Sequence, residues 1–566
     1  MKEPLRRLKD SLQNKWVKWL ALALVLLVVT GFAISAFFFQ PWLRNKLETE
    51  TREKSDGLYS LHMAGLSASL LACTLTIDSL ALVPDTAAWQ QMHQQQKSEL
   101  TSRLSRLQAR RLKLTGVNYL GLLFKEPLKL NRAELLEPVL HIDQMREDTT
   151  ASKPLHQGLE GPLATLKIGK LRIRDGAFSY KKDSRHKYNA AEVSGLNLEL
   201  SDLKLDSASY TAEDRIFYAR KVAVSGGKSN FLLPRGFNRL KTGPFSLDSD
   251  TKEVKLKDMA LIPVYKPAEL ARRRGEAASW IDMRVAEVVL QQADLGKFSR
   301  NGSVVVGEMN FERPRLKVFK DKHNFRAKKT RPLPHDLVQQ FKSGLAIEKI
   351  TIRNLGLRYD ELAEGATTPG HFALNNLYAT ITNVTNNKER ISAKKPAVAH
   401  VGFNLMGKGR LDCTIRMALL DPNCFHTITG KVGKTDLTVL NPIMEPAHLV
   451  SFKSGTVQDG TFNFKLYRNT ATGTMKLNYT NFEIDLLSQA AEGKEEKKQS
   501  FPKKVLSKIA NKAVVKEENT PGGDGLRTAE IKVSRQQKRS VFTYWKDCLE
   551  QGLLVSAGLG KFQPSK

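Results

Sequence analysis

Residues that commonly carry catalysis are few and scattered along this sequence. The 11 histidines lie apart, and the sequence contains no His-Glu-x-x-His, Gly-x-Ser-x-Gly or P-loop motif. The run Gly558-Leu559-Gly560-Lys561 resembles a fragment of a P-loop, but it lacks the strand and the helix that such a loop connects. The sequence therefore predicts neither an enzyme nor a bound cofactor.

The cysteines do not form a metal motif. The chain has four of them, Cys73, Cys413, Cys424 and Cys548, and no two have the Cys-x-x-Cys spacing of a zinc site. Cys413 and Cys424 flank the turn signal Asp421-Pro422-Asn423, so a local disulfide is one hypothesis for an oxidising compartment. Strands that diverge from this turn would not place the two residues opposite each other, which argues against the bridge.

The repeated pattern of apolar residues indicates a different chemistry, the burial of apolar surface. Four apolar residues recur with two residues between the inner pair, in the order apolar, any, apolar, any, any, apolar, any, apolar. On a helix these positions share no face, whereas on a strand each half does. The runs begin at Leu75, Leu107, Leu166, Leu198, Val254, Met283, Val304 and Leu345.

The step of three between the two halves reverses the pleat of the strand. A β-bulge or a sharp corner at the two intervening residues returns both halves to the same side and bends the sheet. These residues are often polar or Gly, as in Asp78-Ser79, Gly169-Lys170 and Glu348-Lys349, which suits an exposed corner. The sequence therefore predicts a mainly β chain built as an elongated, curved, antiparallel repeat sheet with a few short helices.

Two architectures satisfy this pattern equally. Bent strands can form an open trough, whose inner wall would bind acyl chains, or an ordinary sandwich, in which the same residues form a solid core. The candidate groove residues are Leu166, Ile168, Leu171, Ile173, Ile347, Ile350, Ile352, Leu355 and Leu357.

An uncharged run near the N-terminus predicts a transmembrane helix. Residues Trp19 to Phe39 form an apolar run of about 21 residues, close to the roughly 20 that span a ~30 Å hydrocarbon core. Lys and Arg precede the run, whereas the basic residues after it are interleaved with Glu, so the N-terminus is expected in the cytoplasm. A cleaved signal peptide is the alternative, and it is disfavoured because its apolar region is shorter, about 7 to 15 residues. In both cases the rest of the chain is expected to be exported from the cytoplasm.

The charge of the chain implies an anionic partner. Lys and Arg number 89 against 58 Asp and Glu, which gives a formal net charge of +31. Nucleic acid is disfavoured because basic residues alternate with apolar ones along the strands and do not cluster with aromatic stacking residues. A membrane surface or lipid headgroups fit better.

The region from Leu333 to Leu487 carries a family resemblance. It contains the strand Ile-Glu-Lys-Ile-Thr-Ile-Arg-Asn at 347–354, then Leu-Asn-Pro at 440–442, then paired strands with Ser454-Gly455, Gly473-Thr474-Met475 and Tyr479. This order resembles the C-terminal part of the AsmA-like family. The segment Arg535 to Gly552 looks like the tail helix of the same group.

The resemblance implies a bacterial inner-membrane protein with one pass, a cytoplasmic N-terminus and a periplasmic body. It further implies a curved sheet with an apolar inner face that contributes to phospholipid transport toward the outer membrane or to its homeostasis. The expected partners are phospholipid or another acyl lipid, the inner membrane, and an outer-membrane or periplasmic protein, but not nucleic acid. A structural or chaperone-like factor for outer-membrane protein assembly is the alternative, since an exposed sheet edge can hold nascent strands.

These expectations divide the chain into five regions. They are a cytoplasmic N-terminus (1–18), the transmembrane helix (19–39), an N-terminal β-repeat region (40–332), an AsmA-like C-terminal β region (333–488) and a basic linker with C-terminal amphipathic helices (489–566). The last region contains two apolar stripes that would either contact a membrane or cover the end of the sheet. The candidate membrane-contact residues are Phe501, Val505, Ile509, Phe542 and Trp545.

Overall fold

A computed structural model describes residues 22–23, 38–69, 72–95, 100–118, 127–147, 154–158, 165–182, 189–487, 516–522 and 526–558. The chain divides into two compact units. Unit 1 comprises 1–230 and 246–250, and unit 2 comprises 231–245 and 251–566. The predicted boundary between 332 and 333 lies inside unit 2 and stays a prediction.

The structure confirms that the chain is mainly β, with 53% strand and 19% helix. The described residues of unit 1 include helix α1 and two more short helices. Its elements, in chain order, are α1 (Gln40–Lys54), β1 (Tyr59–Ser69), β2 (Thr74–Pro84), α2 (Thr86–Gln94), β3 (Arg103–Thr115), β4 (Lys129–Leu136), β5 (Val139–Gln144), β6 (Leu166–Lys181), β7 (Ala191–Leu205), α3 (Ser207–Thr211) and β8 (Lys221–Gly226).

The chain passes between the units within β9 (Ser229–Leu232) and β11 (Phe245–Asp248), with β10 (Asn238–Thr242) between them. The remaining elements all belong to unit 2. They are β12 (Glu253–Pro263), α4 (Pro267–Arg274), β13 (Ser279–Gln291), α5 (Leu295–Asn301), β14 (Val304–Glu312), β15 (Arg315–Asp321), α6 (Pro334–Gln339), β16 (Leu345–Leu362), β17 (Gly370–Thr385), β18 (Ala397–Leu405), β19 (Gly409–Met417), β20 (His426–Val432), β21 (Thr435–Asp436), α7 (Asn441–His448), β22 (Val450–Leu466), β23 (Thr470–Leu486), β24 (Thr528–Ser534) and α8 (Val541–Ser556).

The helices follow local signals in the sequence. Asp85 accepts hydrogen bonds from the first amides of α2, and Ser540 does the same for α8. Pro334 is the first residue of α6, where its missing N–H costs nothing. The predicted tail helix begins at Val541, six residues later than expected. The residues before it connect strand β24 to the helix.

The strand pairing is mixed, so the prediction of a purely antiparallel sheet is wrong in two places. In unit 1, β4 and β5 both run parallel to β6, and in unit 2, β14 and β15 both run parallel to β16. In each case one long strand is interrupted at a proline, Pro138 or Pro314, which lacks an N–H for the ladder. The pairs β1–β2, β6–β7, β12–β13 and β16–β17, among others, are antiparallel.

The predicted break in each strand is observed. Asp258 has a left-handed φ of 49°, and Ser79 has one of 50°, at the point where the apolar spacing changes phase. Pairing continues in the same register on both sides, for example Lys257 with Glu287 and Met259 with Val285. Both partners of a pair therefore contain the additional residue, and the apolar side chains stay on one side of the sheet.

The run from β2 to β7 in unit 1 has the same topology as the run from β12 to β17 in unit 2. Each consists of a strand, a helix, a strand, an interrupted strand and a long hairpin. Equivalent hydrogen bonds recur, such as Val117 N–H to Cys73 O and Ala293 N–H to Lys252 O. Left-handed residues also coincide, as in the pairs Cys73/Lys252, Ser79/Asp258, Gly116/Gln292, Glu137/Arg313, Asp175/Asn354, Gly195/Asn376 and Asp202/Asn383.

The two runs also share residues in their central strands. β6 and β16 have identical residues at Leu166/Leu345, Ile168/Ile347, Lys170/Lys349, Ile173/Ile352, Arg174/Arg353 and Tyr180/Tyr359. The agreement of topology, backbone conformation and side chains indicates an internal duplication. We refer to the two runs as the duplicated runs.

No helix in the described part of the chain is long and apolar enough to cross a membrane. The predicted transmembrane segment, Trp19 to Phe39, lies almost wholly outside the described residues.

Candidate functional site

Three rows of apolar residues cross the strands of unit 2 on one side of the sheet. Within a row each residue is the direct partner of the next on the neighbouring strand. The first row is Val254, Leu290, Met309, Ile350, Ile381, Ala399, Ile415, Ile428 and Phe464. The second is Leu256, Val288, Phe311, Ile352, Ala379, Val401 and Cys413, and the third is Leu261, Met283, Leu316, Leu357, Leu374 and Leu405. We call this surface the apolar face.

One end of the apolar face is covered. Ile415, Ile428 and Phe464 are only 5%, 6% and 1% exposed. They belong to a core that includes Tyr544 and Cys548 of helix α8. The helix therefore acts as the facing layer over this part of the sheet.

The other part of the apolar face is half-exposed. Ile350, Ile352 and Leu357 are each of intermediate exposure, and none belongs to a buried core of the described residues. In the strand β16 that carries them, the predicted groove residue Ile347 is 9% exposed. A sandwich would bury this part of the face under a second sheet, and the described residues place none there.

Unit 1 has an equivalent surface, which is more fully covered. Ile168 is buried, and Leu166 and Leu171 pack against the same core. Leu43 of helix α1 also packs against that core. Ile173, the equivalent of Ile352, is half-buried outside the core.

The opposite side of the sheet is charged. Lys349 lies 3.4 Å from Glu308 on the neighbouring strand, and Arg353 pairs with Glu312. In unit 1, Arg172 lies 2.9 Å from Glu199. This side of the sheet is a solvated surface. Its ion pairs are partly exposed and therefore contribute little to stability.

The predicted membrane-contact residues have different outcomes. Phe501, Val505 and Ile509 lie outside the described residues. Phe542 is 72% exposed on helix α8. Trp545 of the same helix instead packs against the core of unit 2.

A buried pair of histidines lies beneath helix α8, and sequence reasoning missed it. His335 and His426 are both 0% exposed, and their ring centroids are 5.5 Å apart. Burial lowers the pKa of both rings. Their place in the sequence gives no signal, because they are far apart along the chain.

A charged cluster at the edge of the apolar face was also missed. In β15, Leu316 and Val318 point to the apolar face, and Lys320 follows in the same pleat. Its strand partner Glu361 continues the pleat of Leu357 and Tyr359. The signal that was available is a lysine at a position where the strand pattern expects an apolar residue.

No disulfide joins Cys413 and Cys424, so the hypothesis of a bridge between them is wrong in this structure. No group of three or more His, Cys, Asp or Glu residues in the described segments is arranged to hold a metal ion. Comparison of the chain with models of known protein families and with curated proteins finds no match.

Proposed function

We propose that this chain binds the acyl chains of lipids along the apolar face of its β-sheet. The observation that carries the proposal is the half-exposed stretch of the apolar face around Ile350, Ile352 and Leu357, over which the described residues place no facing layer. Water-exposed apolar surface of this extent is costly for a chain that has no partner for it, and it marks a binding site.

The energetics of lipid transfer support such a surface. Each exposed CH₂ of an acyl chain costs about 0.8 kcal/mol in water, so a two-chain lipid meets a barrier on the order of 25 kcal/mol. Contact with a uniformly apolar wall removes much of that barrier. Rows of similar side chains on consecutive strands present no single position that binds a chain much more strongly than the next.

The bends of the strands support an open trough as the finer architecture of this protein. Asp258, Asn354 and Asn376 have left-handed conformations at one level of unit 2, between the second and third rows, and Lys252 and Asn383 mark a second level beyond the first row. Bulges at a common level bend a sheet toward one side. We propose that the apolar face is the concave side of such a trough.

The cellular setting is part of the same proposal. The resemblance to the AsmA-like family and the apolar run at 19–39 support a bacterial inner-membrane protein with a periplasmic body. Its role would be phospholipid transport toward the outer membrane, or homeostasis of that membrane.

The experiment is lipid analysis of the full chain purified in mild detergent. We expect mass spectrometry of an extract to detect co-purified phospholipid. Ile352→Asp should abolish it, because an ionised carboxylate on the half-exposed face repels acyl chains. Tyr378→Asp is the matched control, since Tyr378 is 50% exposed and precedes Ala379, the partner of Ile352.

Two results would contradict the proposal. One is a wild-type protein that carries no lipid and takes up none from vesicles. The other is an Ile352→Asp variant that unfolds while Tyr378→Asp does not, which would mean that Ile352 lies in a solid core.

A further inference from the structure

Lys320 is a cation without a direct partner at the edge of the apolar face. Its side chain is half-buried and, among the described residues, makes no hydrogen bond or ion pair. Desolvation lowers its pKa to about 8. The charge of its strand partner Glu361 compensates that of Lys320 only in part. A desolvated charge that is only partly compensated is costly, and proteins rarely retain one without a use for it.

The groups around Lys320 form a cluster with excess positive charge. Lys322 Nζ lies 2.6 Å from Glu361 Oε1, and the phenol of Tyr359 donates a hydrogen bond to the same carboxylate. This carboxylate is therefore occupied by partners other than Lys320. Lys546 is likewise occupied by Glu550 and by Asp547, which lies 3.4 Å away.

Arg539 adds a second cation, whose charge also acts on the carboxylates of Asp547 and Glu550. Its charge acts on Lys320, Lys322 and Glu550, which places it in the same cluster. No side-chain hydrogen bond or ion pair of Arg539 occurs within the described segments. Lys320 and Arg539 are thus two positive groups beside an apolar wall, each available to an anion.

The other duplicated run shows that the fold does not require a lysine at this position. The residue equivalent to Lys320 is Gln144, and the equivalent of Tyr359 is Tyr180. There the phenol of Tyr180 donates a hydrogen bond to the Gln144 side chain, and the pair is neutral. The equivalent backbone therefore accepts an uncharged, hydrogen-bonded residue at this position, so the fold does not require the charge of Lys320.

We propose that this cluster binds the anionic headgroup of an amphiphile whose acyl chain lies on the apolar face, with Lys320 and Arg539 as the headgroup ligands. Leu316 and Leu357, direct strand partners in the pleats that lead to the cluster, would contact the first part of the chain. The inference rests on the proposed function and adds a preference for acidic over zwitterionic lipid. Charge-assisted hydrogen bonds of this kind are stronger than those between neutral groups, and shielding from water strengthens them further.

The test compares phosphatidylglycerol with phosphatidylcholine of the same acyl chains, titrated in mixed micelles against the full-length protein. We expect Lys320→Gln to weaken phosphatidylglycerol binding by about ten-fold, which corresponds to about 1.4 kcal/mol, and to leave phosphatidylcholine binding unchanged. Arg539→Gln should shift the preference in the same direction. Lys320→Arg should retain most of it.

Lys317→Gln is the matched control. Lys317 lies in the same strand, is exposed on the opposite side of the sheet, and carries the same charge. Lys317→Gln should change the affinity for neither lipid. An equal loss of binding in Lys317→Gln and Lys320→Gln would indicate a general effect of net charge on micelle binding. The thermal unfolding midpoints of both variants verify that each is folded.

The outcomes separate the two proposals. If wild-type protein binds both lipids and Lys320→Gln alters both equally or neither, the headgroup site is wrong while acyl binding stands. If wild-type protein binds neither lipid, the proposed function is wrong and the headgroup site falls with it. If inorganic phosphate displaces phosphatidylglycerol at equal concentration, the cluster is a simple anion site and the amphiphile is excluded.

Discussion

The indole N–H of Trp545 donates a hydrogen bond of 3.1 Å to Nε2 of His426. The other ring nitrogen, Nδ1, lies 2.8 Å from the carbonyl oxygen of Cys424, which can only accept. The single ring proton is therefore assigned to Nδ1, and Nε2 must be unprotonated. Helix α8 is joined to strand β20 by a contact that requires a neutral imidazole.

We predict that unit 2 loses stability as the pH falls from about 6.5 to 4. Burial lowers the pKa of His426 to about 4, whereas the unfolded chain titrates near 6.5. The unfolded state thus binds the proton first on acidification, and the loss is complete below the folded pKa, at roughly 3 kcal/mol. The loss is measured by urea unfolding at a series of pH values. Hydrogen exchange of residues 541–556 at the same pH values reports on helix α8.

The control for the pH dependence is His426→Gln. The amide has no proton to gain in this range, so the variant should be less stable at neutral pH and should lose roughly 3 kcal/mol less on acidification. An unchanged pH dependence in His426→Gln would assign the effect to other groups, of which His335 is the nearest buried one.

The difference between the open and the covered part of the apolar face can be measured with one substitution type. Ile350 and Ile428 lie in the same row, but Ile428 is 6% exposed within a core and Ile350 is half-exposed. We expect Ile428→Ala to cost about 3–4 kcal/mol of unfolding free energy and Ile350→Ala about 1. Equal costs in urea unfolding would mean that Ile350 is covered as Ile428 is.

The left-handed residue Asn354 should accept glycine but not a β-branched residue. Its φ is 54°, which a β-branched side chain adopts only with strain. We predict that Asn354→Gly is neutral or slightly stabilising and that Asn354→Val costs about 1–2 kcal/mol. The exposed neighbour Arg353→Val serves as the comparison, because valine there enters an ordinary strand conformation. A tolerated Asn354→Val would argue against the bulge.

The four thiols should differ in reactivity. Cys73 is exposed, whereas burial raises the pKa of Cys548 to about 12 and that of Cys413 to about 11. Since the thiolate is the nucleophile, we expect iodoacetamide at about pH 8 to label Cys73 alone in the folded protein. Labelling is read by peptide mass spectrometry. The Cys73→Ser variant should remain unlabelled until denatured, and rapid labelling of that variant would contradict the burial of the other thiols.

Much of the strand architecture could be predicted from the spacing of apolar residues alone. A step of three between two period-two halves requires one additional residue, and Asp258 and Ser79 supply it with left-handed backbone. The parallel pairs could not be predicted in this way. Apolar and polar side chains alternate in the same way in parallel and antiparallel strands. The direction of β6 or β16 depends instead on the end of the sheet to which the connection after β5 or β15 returns the chain.

The sequence also could not predict which part of the apolar face is open. Ile350 and Ile428 have the same residue type and the same role in the pattern. Only the position of helix α8 determines which of them is covered, and that position depends on contacts such as the one between Trp545 and His426. The cluster around Lys320 was detectable in principle, as a charge in an apolar pleat, but its lack of a partner was not.

The register that is kept across bulges such as those of β12–β13 and β6–β7 has a consequence for how such a chain changes length. Because both strands of a pair carry their own additional residue, a hairpin can be gained or lost without forcing its neighbours to slide by one position and invert their side chains. The duplicated runs are consistent with growth by this route. A lineage can then change the number of hairpins while each added segment keeps its apolar side chains on the same side of the sheet.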